Sequence, residues 1–213
     1  MELDLKELYL LLSIHDRWGY ININNFSYGF AAVTLLELTL MDKIKLNKSK
    51  VVIVNHRKTG DVILDRILDR IKKSNNPKKV SQWIFRISYK VFRYKKETLI
   101  KLERKRIIHI ETRRFLRLIP FKRYPISNRL LKKSIIVKLL EVVNGKIPEK
   151  ETLIQYAMVY STGLIPIIFK GHTRKTARIR FEELLENDKT NSQVMEITKL
   201  IRRSIRNNSR GQI

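Results

Sequence analysis

Cysteine is absent from the chain, which excludes a disulfide framework, a thiolate metal site and a thiol nucleophile together. Such a composition suits a reducing compartment. Glycine and proline are scarce, at 7 and 5 residues, which argues against collagenous, loop-dominated or disordered classes. The four histidines, His15, His56, His109 and His172, fall in separate predicted elements without zinc-site spacing. No nucleophile elbow, Walker loop or glycine-rich dinucleotide turn occurs in the sequence. The expectation is therefore a binding protein, not an enzyme, with no catalytic residue, metal site or cofactor.

Long apolar runs are missing too. The N-terminus lacks a basic n-region, and Glu2, Asp4, Lys6 and Glu7 interrupt its leucines, so it does not read as a signal peptide. Residues 153–169 carry no charge, but Gln155, Ser161, Gly163 and Pro166 break them up, which predicts a buried helix followed by a turn. With 213 residues, 43% of them hydrophobic, the chain has enough material for a core. One domain over residues 1–213 is expected, with residues 174–213 as a C-terminal helical extension.

Acidic residues are the other shortage. Lys and Arg number 45 against 20 Asp and Glu, a formal net charge of +25. The excess is regional: residues 72–133 hold 21 basic and 3 acidic side chains, whereas residues 1–71 hold 10 and 9. Arg93, Lys95, Lys96, Lys101, Arg104, Lys105 and Arg106 crowd a single predicted helix. A merely solvated helix face needs no such bias, because mixed charges solubilise equally well and add i,i+4 support. The segment is read as an anion-docking face.

Apolar periodicity predicts helices over residues 3–14, from a Ser27 cap to Met41, from Thr59-Gly60-Asp61 to the Ser74–Pro77 breaker, and from a Ser81 cap to Lys105 with a break near 90–94. The second is apolar nearly all round and should be the central, buried one. Lys43–Leu46 and Val51–Val54 read as a hairpin across Asn47-Lys48-Ser49. Ile107–Ile110 and Phe115–Ile119 read as a second hairpin, with Glu111-Thr112-Arg113-Arg114 as its loop and Pro120 ending it. Four further helices are expected, at about 128–143, 150–161, 174–186 and 190–207.

Gly29 followed by Leu35-Leu36-Glu37-Leu38-Thr39-Leu40 and a basic hairpin, then Thr59-Gly60-Asp61 with Leu64-Asp65 and Leu68, then Trp83 and Arg123-Tyr124-Pro125, make a series. In this order, across about residues 3–169, it resembles the Golgi phosphoprotein 3 family of phosphoinositide-binding, Golgi-associated proteins. The resemblance implies a mainly α fold, a central helix bundle surrounded by amphipathic helices, here with two short β-hairpins. It also implies a peripheral membrane adaptor, cytoplasmic and on Golgi membranes in a eukaryote, binding phosphatidylinositol 4-phosphate in a shallow basic pocket and the cytosolic tails of membrane enzymes. Arg93, Lys95 and Lys96 align near family arginines of that pocket. A family Trp and Arg are replaced, the corresponding region reading Asn22-Ile23-Asn24 and Ala31. Without the long polar N-terminal arm that the resemblance implies for eukaryotic members, a prokaryotic-type member is expected.

Cations alone give weak attachment to an anionic membrane lipid, about 1 kcal/mol each. Phe115, Leu116, Leu118, Ile119 and Phe121 of the second hairpin are the expected second contact, dipping into the interface while flanking arginines and lysines reach phosphates. Oligomerisation through this hairpin is a further expectation. The alternative partner is nucleic acid, since helix, helix and hairpin in succession imitate a winged helix and a basic domain suits phosphate backbones. Asp61, Asp65 and Asp69 share one helix face, but a helix-start carboxylate and nearby Arg66 and Arg70 suit structural roles better than a metal site. Trp83 is read as a core anchor.

Overall fold

A computed structural model describes residues 3–21, 23–115, 118–187 and 192–210. Ten helices and five short strands follow one another among them. The helices before the second hairpin are α1 (Leu5–Ser13), α2 (Phe26–Leu40), α3 (Val62–Lys72), α4 (Val80–Ser88) and α5 (Val91–Arg104). After it come α6 (Arg129–Val143), α7 (Lys150–Ser161), α8 (Ile165–Ile168), α9 (Gly171–Asn187) and α10 (Ser192–Arg210). The mainly α class with two short hairpins is what the sequence predicts.

Helix α2 is the axis because it has no polar face to show to water: every residue from Gly29 to Thr39 is buried. Helices α1, α4, α5, α7 and α10 pack around it. Its hydroxyls are satisfied within the helix, Thr34 Oγ1 donating to Ala31 O and Thr39 Oγ1 to Leu35 O. Gly29 marks where α1 presses closest, since a Cβ there would overlap the Tyr9 hydroxyl. The N-cap is Asn25, in the left-handed region and without a side-chain cap bond, so Ser27 does not open the helix.

The first hairpin pairs β1 (Ile44–Asn47) with β2 (Lys50–Ile53) through Lys48 and Ser49, both at positive φ as a two-residue primed turn requires. A third strand, β3 (Lys78–Lys79), adds to its edge. Helix α4 starts at Val80 with Lys79 as N-cap, ahead of the expected Ser81 cap. The expected break falls at Tyr89-Lys90, separating α4 from α5.

The second hairpin departs from its predicted register. Glu111-Thr112-Arg113-Arg114 is strand, β4 (Glu111–Phe115), paired with β5 (Ile119–Arg123), and Arg114 stands opposite Pro120. The pairing therefore runs on through Phe115, and Pro120 sits inside the ribbon. Polar residues make a strand here because most of this ribbon faces solvent, so alternation had no buried side to mark. Leu116 and Arg117, like Asn22, lie outside the described residues.

Helices α9 and α10 are part of the main core rather than an appendage. Ala177, Phe181, Val194, Met195, Ile197, Ile201 and Ile205 join the same buried cluster as α1 and α2. No helix among the described residues is long and apolar enough to cross a membrane; residues 153–169 fold as α7, a turn and the short α8.

Candidate functional site

The core-facing stripe of α5 is Val91, Tyr94, Thr98, Leu99 and Leu102. One flank of that stripe faces the second hairpin, and a cavity of ≈ 500 Å³ opens between them. Phe92, Lys95, Lys96, Leu99 and Ile100 form the α5 wall, Thr112, Pro120, Phe121 and Lys122 the hairpin wall, and Ile110 and Tyr124 the base. The hairpin is held at its root by the loop after α1: Tyr124 N donates to Gly19 O and Arg123 Nε to Trp18 O. Gly19 is needed there, at φ 66 with the Tyr124-Pro125 backbone against the position of its missing Cβ.

Lys95 is the half-buried cation of this cavity. Its ammonium lies 6.0 Å from the Phe26 ring centre and 5.5 Å from that of Phe92, within cation–π reach. Burial lowers its affinity for the proton, and it has no carboxylate partner among the described residues. Lys96 and Lys122, both exposed, likewise form no ion pair among the described residues. Three cations over an apolar floor suit an amphiphile with an anionic head. Of the predicted head-group residues, Lys95 and Lys96 line this cavity, whereas Arg93 is on the opposite flank of α5 and bonds to Glu97 at 3.2 Å.

The rest of the basic run has other work. Lys101 Nζ meets Asp61 at 2.5 Å and Lys105 Nζ meets Glu7 at 2.7 Å. Asp61 is also the N-cap of α3, accepting from Ile63 N and Leu64 N, and lies 3.7 Å from Lys6. Lys6, fully enclosed, donates to Glu37 at 2.7 Å. Burial works against both charged forms: Glu37, Asp4 and Asp61 more than offset it for Lys6, whose proton affinity rises, while Lys6 does not offset it for Glu37, pushed up to about 7. Arg106, at φ 55, reverses the chain after α5, its N–H on Glu103 O and that of Ile107 on Leu102 O.

The hairpin tip exposes apolar surface. Leu118 is 82% exposed, Ile119 63% and Phe121 44%. Phe92, 78% exposed, adds apolar surface on the α5 wall of the cavity beside Lys95. The backbone of Phe115 ends β4, and Leu116 lies outside the described residues. Cavity residues that sequence reading passed over, Ile100, Ile110 and Thr112, carry no local signal, because only the hairpin's fold-back brings them opposite α5.

Ala31 is fully buried in α2. Asp65 accepts from Thr59 N and Oγ1, and Asp61 is saturated as above, so two of the three aligned carboxylates hold the start of α3. Arg66 pairs with Glu97 on α5 rather than on its own helix. Trp83 is a core side chain, as expected. Two C-terminal arginines are structural: Arg180 donates to Val142 O and Gly145 O at the end of α6, and Arg202 stacks on Tyr160 at 3.5 Å.

Residues 5–203 match the family model described as Golgi phosphoprotein 3 (GPP34). The match runs past residue 169 and takes in α9 and most of α10. A vacuolar protein sorting-associated protein 74 from Schizosaccharomyces pombe is 26% identical over 170 residues, covering 69% of this chain and 50% of that protein. The chain thus spans about half the length of this curated relative.

Proposed function

The chain belongs to the Golgi phosphoprotein 3 family, and from that premise we propose that it is a peripheral membrane adaptor that docks on anionic lipid. The cavity between α5 and the second hairpin takes the head group, phosphatidylinositol 4-phosphate or a similar phosphoinositide, on Lys95, Lys96 and Lys122. The hairpin residues Leu118 and Ile119 enter the interfacial zone, and the cytosolic tails of membrane enzymes are its cargo.

The observation that carries this reading is an unpaired cationic wall joined to exposed apolar side chains around one cavity. Three lysines near an anionic leaflet contribute about 3 kcal/mol, a weak attachment. Transfer of Leu118 and Ile119 out of water adds up to about 1.5–3 kcal/mol each. The tip and the cations are therefore comparable, and neither suffices alone. Among the described residues no carboxylate neutralises the three lysines, in contrast to Lys101 and Lys105.

Flotation with phosphatidylcholine vesicles containing phosphatidylserine or phosphatidylinositol 4-phosphate tests the proposal. Binding should require the anionic lipid, persist at moderate salt and fall sharply in Leu118→Glu. Failure to float on any anionic mixture at low salt would refute it. Tight duplex DNA binding that ignores Leu118→Glu, without flotation, would favour the nucleic-acid reading instead.

A further inference from the structure

The flank of α5 that faces away from the hairpin cavity bears a second concavity, ≈ 290 Å³, walled by Arg66, Asp69, Arg70 and Lys73 of α3 and its end and by Lys90, Arg93 and Tyr94. We propose that this notch is a second anion site, one that takes a doubly charged phosphate group. Five cations converge on it, against Asp69 in its wall and Glu97 behind it. Cations gathered into one depression repel one another, and a bound dianion relieves that repulsion.

The guanidinium groups are already fixed. Glu97 accepts two bonds from Arg66 Nη1, at 2.6 and 2.8 Å, and one from Arg93 Nε at 3.2 Å. Arg70 Nη2 donates to Arg86 O at 3.2 Å, in the last turn of α4. That bond by itself describes a cation closing a helix C-terminus. It leaves Arg70 Nη1 buried with no hydrogen-bond partner. A buried N–H of a charged group without an acceptor is costly, and since Arg70 lines the notch, an oxyanion oxygen seated there would supply the missing acceptor once the fork turns towards it. Planar guanidinium forks set from two helices suit a tetrahedral oxyanion, while Lys73 and Lys90 on the rim add charge without geometry.

The site takes either the phosphorylated head of a lipid or a soluble phosphate, and two arms separate these sources. In the first, the arginine Nε resonances of the full chain are followed by NMR as inorganic phosphate replaces chloride at constant ionic strength. Arg66, Arg70 and Arg93 should shift together and saturate, and Lys73→Glu with Lys90→Glu should weaken that binding about tenfold or more, while Lys122→Ala leaves it unchanged. Shifts without saturation, or saturation undiminished in the double variant, would overturn the proposal. In the second arm the same double variant is floated on phosphatidylinositol 4-phosphate vesicles: a loss matching the phosphate result assigns the site to a lipid head, and unchanged flotation assigns it to a soluble phosphate. Because Leu118→Glu spares the notch, loss of flotation in that variant with intact phosphate binding separates this site from the hairpin reading.

Discussion

Two groups of lysines on the same helix have opposite surroundings. Lys101 and Lys105, towards the end of α5, are held by Asp61 and Glu7 from α3's cap and α1, beside the enclosed Lys6–Glu37 pair. Lys95 and Lys96, earlier on the helix, face the hairpin cavity with no carboxylate partner among the described residues. A count of cations along a chain therefore measures anion affinity only after those paired with carboxylates have been subtracted. The first group is tied into the fold by ion pairs, and on the proposed function the second serves docking, so substitutions should divide accordingly.

The largest separation is expected from Lys6→Met. It leaves the buried Glu37, and Asp61 beside it, without the ammonium of α1, and removal of one partner from a buried pair costs about 3–5 kcal/mol. Urea melts should show that loss, whereas Lys96→Ala should lie within about 0.5 kcal/mol of the parent. Equal effects would erase the distinction.

Next in size is a pH effect. The carboxyl of Glu37 titrates near 7 in the fold and near 4.5 when unfolded, so the folded state binds the extra proton between those values. Stability should therefore fall by about 2–3 kcal/mol as pH rises from 4.5 to 7, and Glu37→Gln should flatten that slope. Asp61, held below 3.8 chiefly against burial by Lys6 and then Lys101, acts in the other direction, its contribution present above that value and lost as pH falls further. A stability curve without the neutral-range slope, measured by urea titration at several pH values, would show that Glu37 is ionised throughout.

Smaller effects belong to the outer group. Lys95→Ala and Lys122→Ala should each weaken vesicle binding by about 1 kcal/mol, roughly fivefold, with unfolding unchanged. Smallest of all, Arg106→Gly should stabilise the chain by about 0.5–1 kcal/mol in the same melts, because a left-handed residue with a Cβ gives way to one without.

Much of the helical frame was legible in the sequence, because apolar residues keep their period wherever one helix face meets the core: Ile63, Leu64, Ile67, Leu68 and Ile71 of α3 are all buried. The hairpin register was not, since Thr112, Arg113 and Arg114 are exposed and carry no alternation. The short β3 and α8 are too brief for periodicity to register. Half of the candidate site could be read, Lys95 and Lys96 from charge and Leu118, Ile119 and Phe121 from their place beside basic residues. The partition of the cations could not, because Glu7 and Lys105 are 98 residues apart.

Asp61 gathers four donors on one carboxylate region: two backbone amides of α3, Lys101 and, more distantly, Lys6. A genetic screen scored by recruitment to membranes would flag changes at this position as strongly as changes at Lys95. Such alleles would masquerade as ligand-contact defects, and only a protein-abundance measurement made alongside would reveal them as failures of assembly.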